Sequence, residues 1–299
     1  MKQSPQSSRQ NKTIVVAAIP AFNEEKYIGT IVLKTRQYVD ETIVVDDGST
    51  DQTANVARLA GATVVRHERN KGYGASIQTL LAEAKKKDLS ILVLLDADSQ
   101  HNPDEIPELI KPISEGFDLV IGSRELQKSN IPRHRHIGQR VISFFSHILS
   151  GEKLFDSESG YRVFSRKAIA LLELQENGMA ISAETIAKAA EKGLKIIERP
   201  ISIRYTRDGS TLNPVRHGFE VLGRIFAMIS ERRPLFFFGL GGTILITLGF
   251  LAGVRVVTIL FGVGELAIGT ALISILLLVI GSFSIFTGII LNVLTKRKG

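Results

Sequence analysis

The chain has 299 residues, a formal net charge of +7, 44% hydrophobic residues and no cysteine. This length predicts one or two domains with a full core, and the absence of cysteine excludes disulfides, thiolate metal sites and cysteine nucleophiles. The basic excess lies mostly at the two ends of the chain. This distribution argues against a nucleic-acid-binding protein, which needs a basic surface on its folded body.

Strand-like and helix-like segments alternate after a polar and basic N-terminal stretch. Residues 1–12 lack the apolar core of a signal peptide, and they predict a disordered tail. The alternation that follows predicts right-handed βαβ units and a mostly parallel α/β sheet. The predicted strands are 13–20, 41–47, 62–67 and 89–95, and the predicted helices are 23–38, 49–62 and 73–87.

Polar clusters follow three of these strands, namely Pro20–Glu24, Asp46–Asp47 and Asp96–Gln100. Parallel α/β sheets bind ligands beyond the carboxyl ends of their strands, so we expect the clusters to converge. Asp96 and Asp98 end the run ILVLLDADSQH. Two like charges so close repel unless a cation lies between them, so the pair predicts either a metal site or an Asp-rich turn. No GxGxxG follows the first strand, which argues against a dehydrogenase.

Two uncharged runs, 234–254 and 266–295, dominate the C-terminal part. Each exceeds the roughly 20 residues that cross a bilayer core, and we predict membrane helices at about 235–257 and 266–294. The flanking ERR and KRK predict that both termini and the bulk of the chain are cytoplasmic, with 255–265 as a short outer turn.

Segment 214–233 precedes the first predicted span and has an amphipathic pattern. It predicts a helix in the bilayer interface, with a core helix of the soluble domain as the alternative. The apolar face of this helix would carry Val215, Phe219, Leu222, Phe226 and Ile229.

Seven motifs carry a family resemblance: IPAFNEEKYI, IVVDDGSTD, NKGYGASI, LLDADSQHNPDEI, IGSRE, DSESGYRVFSR and RDGSTLNP. In this order they resemble the motifs of family 2 glycosyltransferases, most closely the dolichol-phosphate mannose synthase branch. The likeness covers roughly residues 13–217. It implies a GT-A catalytic domain at 13–213, followed by the interfacial helix at 214–233 and a two-helix transmembrane hairpin at 234–299.

The activity that the resemblance implies is the inverting transfer of a monosaccharide from a nucleotide-diphosphate sugar to dolichyl or polyprenyl phosphate. The donor could be GDP-mannose or a UDP-sugar. Two alternatives stay open: a family 2 transferase that acts on a hydroxyl of a glycolipid or polysaccharide, and a non-catalytic membrane scaffold that binds nucleotide-sugar. Association of the spans into a homo-oligomer is a further expectation.

The resemblance also implies a donor site. Asp96-Ala97-Asp98 matches the DxD motif, and Gln100 matches a third ligand, which implies Mg²⁺ or Mn²⁺. His101 matches no family ligand and is expected on the surface. Ser49 and Asp51 are expected to cap the second helix. Only one of Asp46 and Asp47 should face the nucleoside, because adjacent strand residues point opposite ways. The nucleotide-sugar ligands implied are Pro20, Asn23, Glu24, Asp46, Asp47, Lys71, Gly72, Asp96 and Ala97.

A phosphate acceptor shapes the rest of the expected site. A phosphate monoester has a second pKa of about 6, so it is already a nucleophile at neutral pH, and the site should supply cations rather than a base. Glu184 stands where other family members carry the base, and it acts either as that base or as a group that orients an arginine or the sugar. The implied catalytic residues are Asp98, Arg124, Glu184 and Arg207. The implied phosphate ligands are Arg124, Arg133, Arg140, Ser159, Arg162 and Arg207, with Arg135 as a weaker candidate.

Overall fold

The computed structural model describes residues 13–87, 89–126, 133–203 and 214–296. The chain divides into two compact units, Met1–Leu222 and Gly223–Gly299. This division falls inside a helix, nine residues after the expected domain boundary at 213. The tail expected at 1–12 lies outside the described residues.

A seven-stranded sheet forms the centre of the N-terminal unit. Its order is β3-β2-β1-β4-β6-β5-β7, and β6 is antiparallel to both of its neighbours, whereas the other pairs are parallel. The predicted mostly parallel α/β architecture is therefore confirmed. The strands are Val15–Ala21 (β1), Glu41–Asp46 (β2), Thr63–Arg66 (β3), Ile91–Leu94 (β4), Leu119–Ser123 (β5), Arg162–Ser165 (β6) and Ile196–Pro200 (β7).

Helices cover both faces of the sheet, which explains why the central strands are apolar without alternation. Val16 and Ala18 of β1 contribute to one core, and Ala17 and Ile19 contribute to the other. The helices of this unit are Ile28–Thr35 (α1), Thr53–Leu59 (α2), Tyr73–Lys86 (α3), Ile106–Ser114 (α4), Arg133–Ser150 (α5), Arg166–Leu171 (α6), Ile181–Glu191 (α7) and the first part of Pro214–Arg232 (α8).

Helix α1 begins five residues later than the sequence pattern predicts. Asn23 has a φ of 55°, and the Glu24 carbonyl accepts hydrogen bonds from Tyr27 N and Ile28 N in a turn before the helix. The acids at 24 and 25 therefore precede the helix instead of lying in its first turn. The reason is tertiary, because backbone N–H groups of this turn bond to side chains of the β2–α2 loop.

Two long helices, α9 (Pro234–Val263) and α10 (Ile268–Lys296), make up most of the C-terminal unit. By length and composition both could cross a membrane, and only 11% and 17% of their most apolar windows are buried, unlike the core helices of a soluble protein. Helix α9 ends at Gly264, whose φ is 76°, so it runs past the predicted end at 257.

Helix α8 has a different buried stripe from the one expected. Val221, Ile225 and Ile229, spaced four residues apart, are buried, whereas Phe226 is 37% exposed. Of the apolar face expected in the bilayer interface, only Ile229 belongs to this stripe among the side chains described. The side chains of Val215 and Phe219 lie outside the description.

Candidate active site

The three polar clusters lie at one edge of the sheet, as expected. In the parallel pairing of β1 with β2, Ala21 is opposite Asp46, and β4 pairs with the other side of β1. The segments that follow these three adjacent strands therefore leave the sheet side by side. This edge is where an open α/β sheet binds its ligands.

The turn after β1 is tied to the loop after β2. Asn23 Oδ1 accepts from Thr50 N at 2.9 Å, and Asn23 N donates to Ser49 Oγ at 2.9 Å. Ser49 thus holds the β1 turn instead of capping α2, which corrects the expectation. Asp51 lies one residue before Gln52, the N-cap of α2, and its Oδ1 accepts from Thr53 N at 2.9 Å, so it supports the start of that helix from outside the cap position. The side chain of Asn23 joins two loops, so its expected contact with a nucleoside would be secondary to that role.

Glu24 brings a third carboxyl group close to the Asp96–Asp98 pair. Burial raises the pKa of Glu24 to about 7, and repulsion from Asp98, Asp51 and Asp96 adds to the increase. The carboxylates that follow different strands therefore interact electrostatically. Their mutual repulsion leaves this edge of the sheet in need of positive charge.

Asp47 is a structural residue of the site. Its Oδ1 accepts from Lys71 N at 2.9 Å and lies 2.6 Å from His67 Nδ1, and its Oδ2 accepts from Gly72 N at 2.8 Å. Both oxygens are thus occupied in fixing the loop before α3. Direct contact of Asp47 with a nucleoside would break this network, which argues against that expected role.

Asp46, unlike Asp47, has a carboxylate oxygen that accepts no hydrogen bond from the described residues. It is fully buried; its Oδ1 accepts from Ser49 N at 3.0 Å, and its Oδ2 is 3.1 Å from Arg66 Nε. That ion pair lacks hydrogen-bond geometry, and Oδ2 has no hydrogen-bond partner among the described residues. Of the two acids, Asp46 is therefore the one with an oxygen still able to accept a hydrogen bond.

The two glycines of NKGYG serve packing against another loop. A Cβ on Gly72 would lie 2.6 Å from Asn177 O, and one on Gly74 would lie 2.2 Å from Glu176 O. The backbone at both glycines therefore packs closely against these carbonyl groups. The resemblance instead implied that Gly72 approaches a nucleotide. Lys71 is exposed at the start of this loop, whereas Pro20 and Ala97 are buried.

Asp96 is the most firmly held member of the DxD motif. Tyr73 Oη donates to its Oδ1 at 2.9 Å. A Cβ on Gly160 would lie 2.5 and 2.8 Å from the two carboxylate oxygens and 2.8 Å from Tyr73 Oη. Burial raises the pKa of Asp96 above its usual value. The motifs NKGYG, DAD and SGYR thus meet at one carboxylate.

Asp98 has a more open environment. Its Oδ1 accepts from Gln100 N at 3.0 Å, across a turn in which Ser99 has a φ of 64°. Burial and the charge of Asp96 both raise the pKa of Asp98. The turn keeps the two carboxylates together in spite of this repulsion, and it keeps Gln100 beside them.

The donor set at this turn fits a hard divalent cation. Among the described residues, no group of three or more Asp, Glu, His or Cys side chains is arranged to hold a metal. Mg²⁺, however, is usually bound by one or two carboxylates together with substrate phosphates. Asp96 and Asp98, with the amide oxygen of Gln100, supply that kind of set of hard oxygen ligands.

His101 is buried, which corrects the expected surface position. Its Nδ1 accepts from Asp96 N at 3.2 Å, and its ring centroid is 5.0 Å from that of Tyr161. Burial lowers the pKa of His101 to about 4, which keeps the imidazole neutral and able to accept this bond. His101 therefore holds the backbone of the DxD motif.

Arg124 forms a bidentate ion pair with Asp156. Its Nε and one terminal nitrogen each donate at 2.6 Å to the carboxylate, which is almost fully buried. The guanidinium is 20% exposed and lowers the pKa of Asp96 by its charge. Arg124 thus lies close to the DxD motif, as a phosphate-binding role requires, and Asp156 fixes its orientation.

Arg162 is a buried cation, contrary to the expected contact with a phosphate. Its Nε donates to Ser159 O at 2.9 Å, and its terminal nitrogens donate to Ser182 O at 3.0 Å and to Ser157 O at 2.7 Å. Burial lowers the pKa of Arg162. Arg162 and the buried Ser159 therefore support the DSESGYR loop, and their effect on a bound anion would be indirect.

Glu158 is a partly buried acid of this loop that the sequence reasoning did not single out. Its Oε1 has no hydrogen-bond partner among the described residues. Burial raises the pKa of Glu158 to about 7, although Arg162 and Arg124 oppose the increase. Its place within DSESGYR was the available signal, together with that of Asp156.

Glu184 does not have the surroundings of a general base. Its carboxylate accepts from Gln175 N at 3.0 Å and from Glu176 N at 2.8 Å, and it pairs with Lys188 Nζ at 2.9 Å. These two backbone N–H groups and the Lys188 ammonium group together occupy both carboxylate oxygens of Glu184. Glu184 therefore fixes the loop before α7, which argues against its role as a base, and the orienting role stays a prediction.

The remaining expected cations are only partly described. Arg140 is exposed on α5. The side chains of Arg133 and Arg135 and all of Arg207 lie outside the described residues.

Comparison with known proteins agrees with this geometry. The profile of Glycosyl transferase family 2 matches residues 16–172. A UDP-N-acetylglucosamine–dolichyl-phosphate N-acetylglucosaminyltransferase of Methanococcus voltae is 32% identical, over 72% of this chain and 96% of that protein. The polyprenol monophosphomannose synthase of Mycolicibacterium smegmatis is 29% identical, over 64% of this chain and 77% of that protein.

A solved structure shows the same fold. Glucosyl-3-phosphoglycerate synthase from Mycobacterium tuberculosis, in complex with Mn²⁺ and UDP-glucose, matches with a TM-score of 0.60 and 22% identity, over 73% of this chain and 79% of that one. Together with the family profile and the relative that is 32% identical, this fold identifies the N-terminal unit as a GT-A domain. The chain belongs to glycosyl transferase family 2, in its dolichol-phosphate mannose synthase-like branch.

Proposed function

We propose that this protein transfers a monosaccharide from a nucleotide-diphosphate sugar to the phosphate of a dolichyl or polyprenyl phosphate, with inversion at the anomeric carbon. The observation that carries this proposal is the combination of Asp96 and Asp98 with Arg124 beside them, while Glu184 is engaged elsewhere. The site offers ligands for a pyrophosphate leaving group and a cation for an anionic acceptor. A phosphate monoester does not need the base that Glu184 was expected to provide.

In this proposal Asp96, Asp98 and Gln100 hold Mg²⁺ or Mn²⁺ together with the donor pyrophosphate. The cation would neutralise the negative charge that develops on the leaving nucleoside diphosphate. The presence of Mn²⁺ with UDP-glucose in the related solved structure supports a divalent cation. Tyr73 and His101 orient Asp96 through its carboxylate and its backbone, and Asp46 is the candidate hydrogen-bond acceptor for the nucleoside.

Arg124 orients the acceptor phosphate in this proposal, and Asp156 fixes the guanidinium for that task. The bidentate pair is charge-assisted and directional, so it costs little further entropy when an anion binds. Arg140 and Arg207 stay proposed phosphate ligands, as does Arg133. The names of the two relatives, which both refer to polyprenyl-type phosphates, support this acceptor class.

The proposed location is the cytoplasmic face of a membrane, with α9 and α10 as the two spans and both termini cytoplasmic. The basic residues before the first span and after the second support this orientation. Association of the spans with those of a second copy stays a prediction.

A donor and acceptor panel tests the proposed reaction. The purified full chain in vesicles is given labelled GDP-mannose, UDP-glucose or UDP-N-acetylglucosamine, with Mg²⁺ or Mn²⁺, and either a polyprenyl phosphate or the matching polyprenol. We expect one donor to transfer its sugar to the phosphate and none to the alcohol. Transfer only to a hydroxyl acceptor, or donor binding without any transfer, would contradict the proposal.

Two variants separate the acceptor roles in the same assay. Glu184→Gln should keep the transfer rate within a few fold, because the amide retains one acceptor for the loop N–H groups and no base is lost. Arg124→Ala should lose transfer. Since Arg124→Ala also leaves Asp156 buried without its partner, Arg124→Lys is the folded control, and it should raise KM for the lipid phosphate while it retains part of kcat.

A further inference from the structure

Asp156, which pairs with Arg124, lies in an irregular segment between α5 and β6. Residues 151–161 are all described and form neither helix nor strand. The Asp156 side chain is nevertheless almost fully buried. Because no helix or strand ladder fixes this segment, individual hydrogen bonds from other elements must set the position of Asp156.

Glu198, on β7, supplies two of these hydrogen bonds. Its Oε1 accepts from Asp156 N at 2.9 Å, and its Oε2 accepts from Phe155 N at 2.9 Å. One carboxylate thus holds two consecutive backbone N–H groups, which fixes both the place and the orientation of the segment. Burial raises the pKa of Glu198, and these two hydrogen bonds oppose the increase because they stabilise the ionised form.

Strand pairing places Glu198 beside the strand that leads to Arg124. Strands β5 and β7 are parallel, with Ile121 opposite Glu198, and Arg124 directly follows β5. The backbone N–H of Arg124 donates to Asp156 Oδ2 at 3.0 Å, in addition to the two guanidinium bonds. Asp156 is therefore held by Glu198 through its backbone, and it holds Arg124 through its carboxylate. A shift of the segment would move the guanidinium.

The charges in this arrangement are unfavourable for stability alone. The negative charge of Asp156 raises the pKa of Glu198, since two carboxylates this close repel each other. An uncharged acceptor could hold a backbone N–H group without that repulsion. The chain thus has a carboxylate here in spite of an electrostatic cost, and perturbed acids of this kind are concentrated at functional sites.

We propose that Glu198 is a positioning residue for the acceptor phosphate: it fixes the backbone at 155–156, so that Asp156 holds the Arg124 guanidinium in the orientation that binds the phosphate. This role rests on the proposed function of Arg124 and adds to it a residue that does not touch the substrate. Position and charge predict opposite effects. A nearby negative charge by itself weakens the binding of an anion, so its neutralisation would lower KM for the acceptor, whereas loss of positioning raises that KM.

The first test follows Arg124 directly and needs no turnover. The Nε–H signal of Arg124 is observed by NMR of the full chain in detergent with isotope-labelled arginine, and it is assigned by its loss in Arg124→Lys. Glu198→Gln retains one acceptor oxygen for two N–H groups, so we expect faster hydrogen exchange of this Nε–H with water. Asp118→Asn is the matched control, because Asp118 accepts from Lys195 N before the same strand and has no hydrogen bond or ion pair with Asp156. Unchanged exchange in Glu198→Gln, or an equal change in the control, would overturn the proposal.

The second test measures kinetics in the vesicle assay. Glu198→Gln should raise KM for the polyprenyl phosphate by about 10-fold, while KM for the nucleotide-sugar stays unchanged. The same substitution in the Arg124→Lys chain should change KM little, because its effect passes through Arg124. A lower or unchanged KM in the single variant, or the full increase in the Arg124→Lys chain, would contradict the positioning role. If the unsubstituted chain transfers no sugar to the phosphate, the proposed function fails, and the exchange measurement still decides whether Glu198 fixes Arg124.

Discussion

Tyr73 donates its hydroxyl to the Asp96 carboxylate from the first residue of α3, and this contact is possible because Gly160 lacks a side chain. Three segments distant in sequence thereby fix one carboxylate, which we propose as a metal ligand. Carboxylates that bind metals are commonly oriented by such partners, whose loss weakens metal binding. Because these contacts hold the Asp96 side chain in place, less conformational entropy would be lost when a donor binds.

Tyr73→Phe should weaken the binding of Mn²⁺ in the presence of a nucleoside diphosphate by about 10-fold or more, because the Asp96 carboxylate loses the hydrogen bond from the Tyr73 hydroxyl. Calorimetric titration of the full chain with Mn²⁺ measures this change without turnover. Tyr38→Phe is the matched control, since Tyr38 donates to Asp104 on an exposed surface. Equal Mn²⁺ affinities of the two variants would show that Tyr73 does not position Asp96.

Asp118 joins three strands at the edge of the sheet opposite to the site. It precedes β5, and its carboxylate accepts from Ser165 Oγ at the end of β6 at 3.0 Å and from Lys195 N before β7 at 3.1 Å. Lys167 Nζ lies 3.2 Å from the same carboxylate. Partial burial raises the pKa of Asp118, but the hydrogen bonds from Lys195 and Lys167 and Ser165 outweigh it and hold the pKa below the usual value.

Asp118→Asn should destabilise the N-terminal unit by about 1–3 kcal/mol at neutral pH, because the amide has one acceptor oxygen instead of two and no charge to pair with Lys167. Since the folded-state pKa is depressed, the stabilisation by Asp118 is present above the unfolded-state pKa and is lost as the pH falls through the folded value. Thermal unfolding as a function of pH measures this effect, and the variant should lose less stability on acidification. Glu108→Gln, at an exposed pair with Lys111, should change little.

Helices α9 and α10 approach closely at a pair of glycines. A Cβ on Gly242 would lie 2.5 Å from Gly281 O, and one on Gly281 would lie 2.7 Å from Gly242 O. Ser274 Oγ adds a hydrogen bond to Gly249 O at 2.7 Å across the hairpin. Close backbone packing and interhelical hydrogen bonds of this kind drive helix association in lipid, where the hydrophobic effect contributes little.

Gly242→Val should destabilise the hairpin by about 1–3 kcal/mol, because the new side chain forces the two backbones apart. Gly241→Val is a control at the neighbouring residue, since a Cβ there meets no atom within 4 Å. Thermal unfolding of both variants in the same detergent gives the comparison. Equal melting temperatures would mean that the two helices do not pack at this pair in the membrane.

At the scale of the whole molecule, the described chain joins a GT-A unit to an apolar helix pair, and its orientation in the membrane is a prediction from charge. Arg255 and Glu265 are the charged residues between Arg233 and Lys296. Helix α9 continues for eight residues past Arg255, so the connection between the spans is shorter than the sequence pattern predicts. With about 1.5 Å of rise per residue, each helix exceeds the roughly 30 Å of the hydrocarbon core and would tilt or extend beyond it.

The chain has no cysteine, so single cysteines can report the orientation. In intact cells a membrane-impermeant maleimide should label Glu265→Cys, in the connection between the spans. It should label Lys192→Cys, an exposed site of the N-terminal unit, only after the cells are lysed. The reverse pattern would place the GT-A unit outside the cytoplasm and would contradict the charge argument.

The α/β alternation, the convergence of three polar clusters, the two long apolar helices and the family could all be predicted from the sequence. These features follow from local periodicity and from motifs whose spacing is fixed along the chain. The four strands predicted from the sequence, β1 to β4, and most of the predicted helix starts agree with the structure within a few residues, whereas β5, β6 and β7 were not predicted. The late start of α1 could not be predicted, because side chains of the β2–α2 loop hold the preceding turn.

Which of the polar residues present their charge to the site depends on tertiary contacts that the sequence pattern does not contain. Asp47, Arg162 and Glu184 are the residue types expected, yet the charged group of each is hydrogen-bonded to backbone groups of a loop packed against it. His101 is buried for the same kind of reason. A motif gives the identity and spacing of its side chains, but not the groups that pair with them. A charge that is buried without a partner strongly destabilises the fold, so each buried charge pairs with a group from another segment, which the motif does not specify.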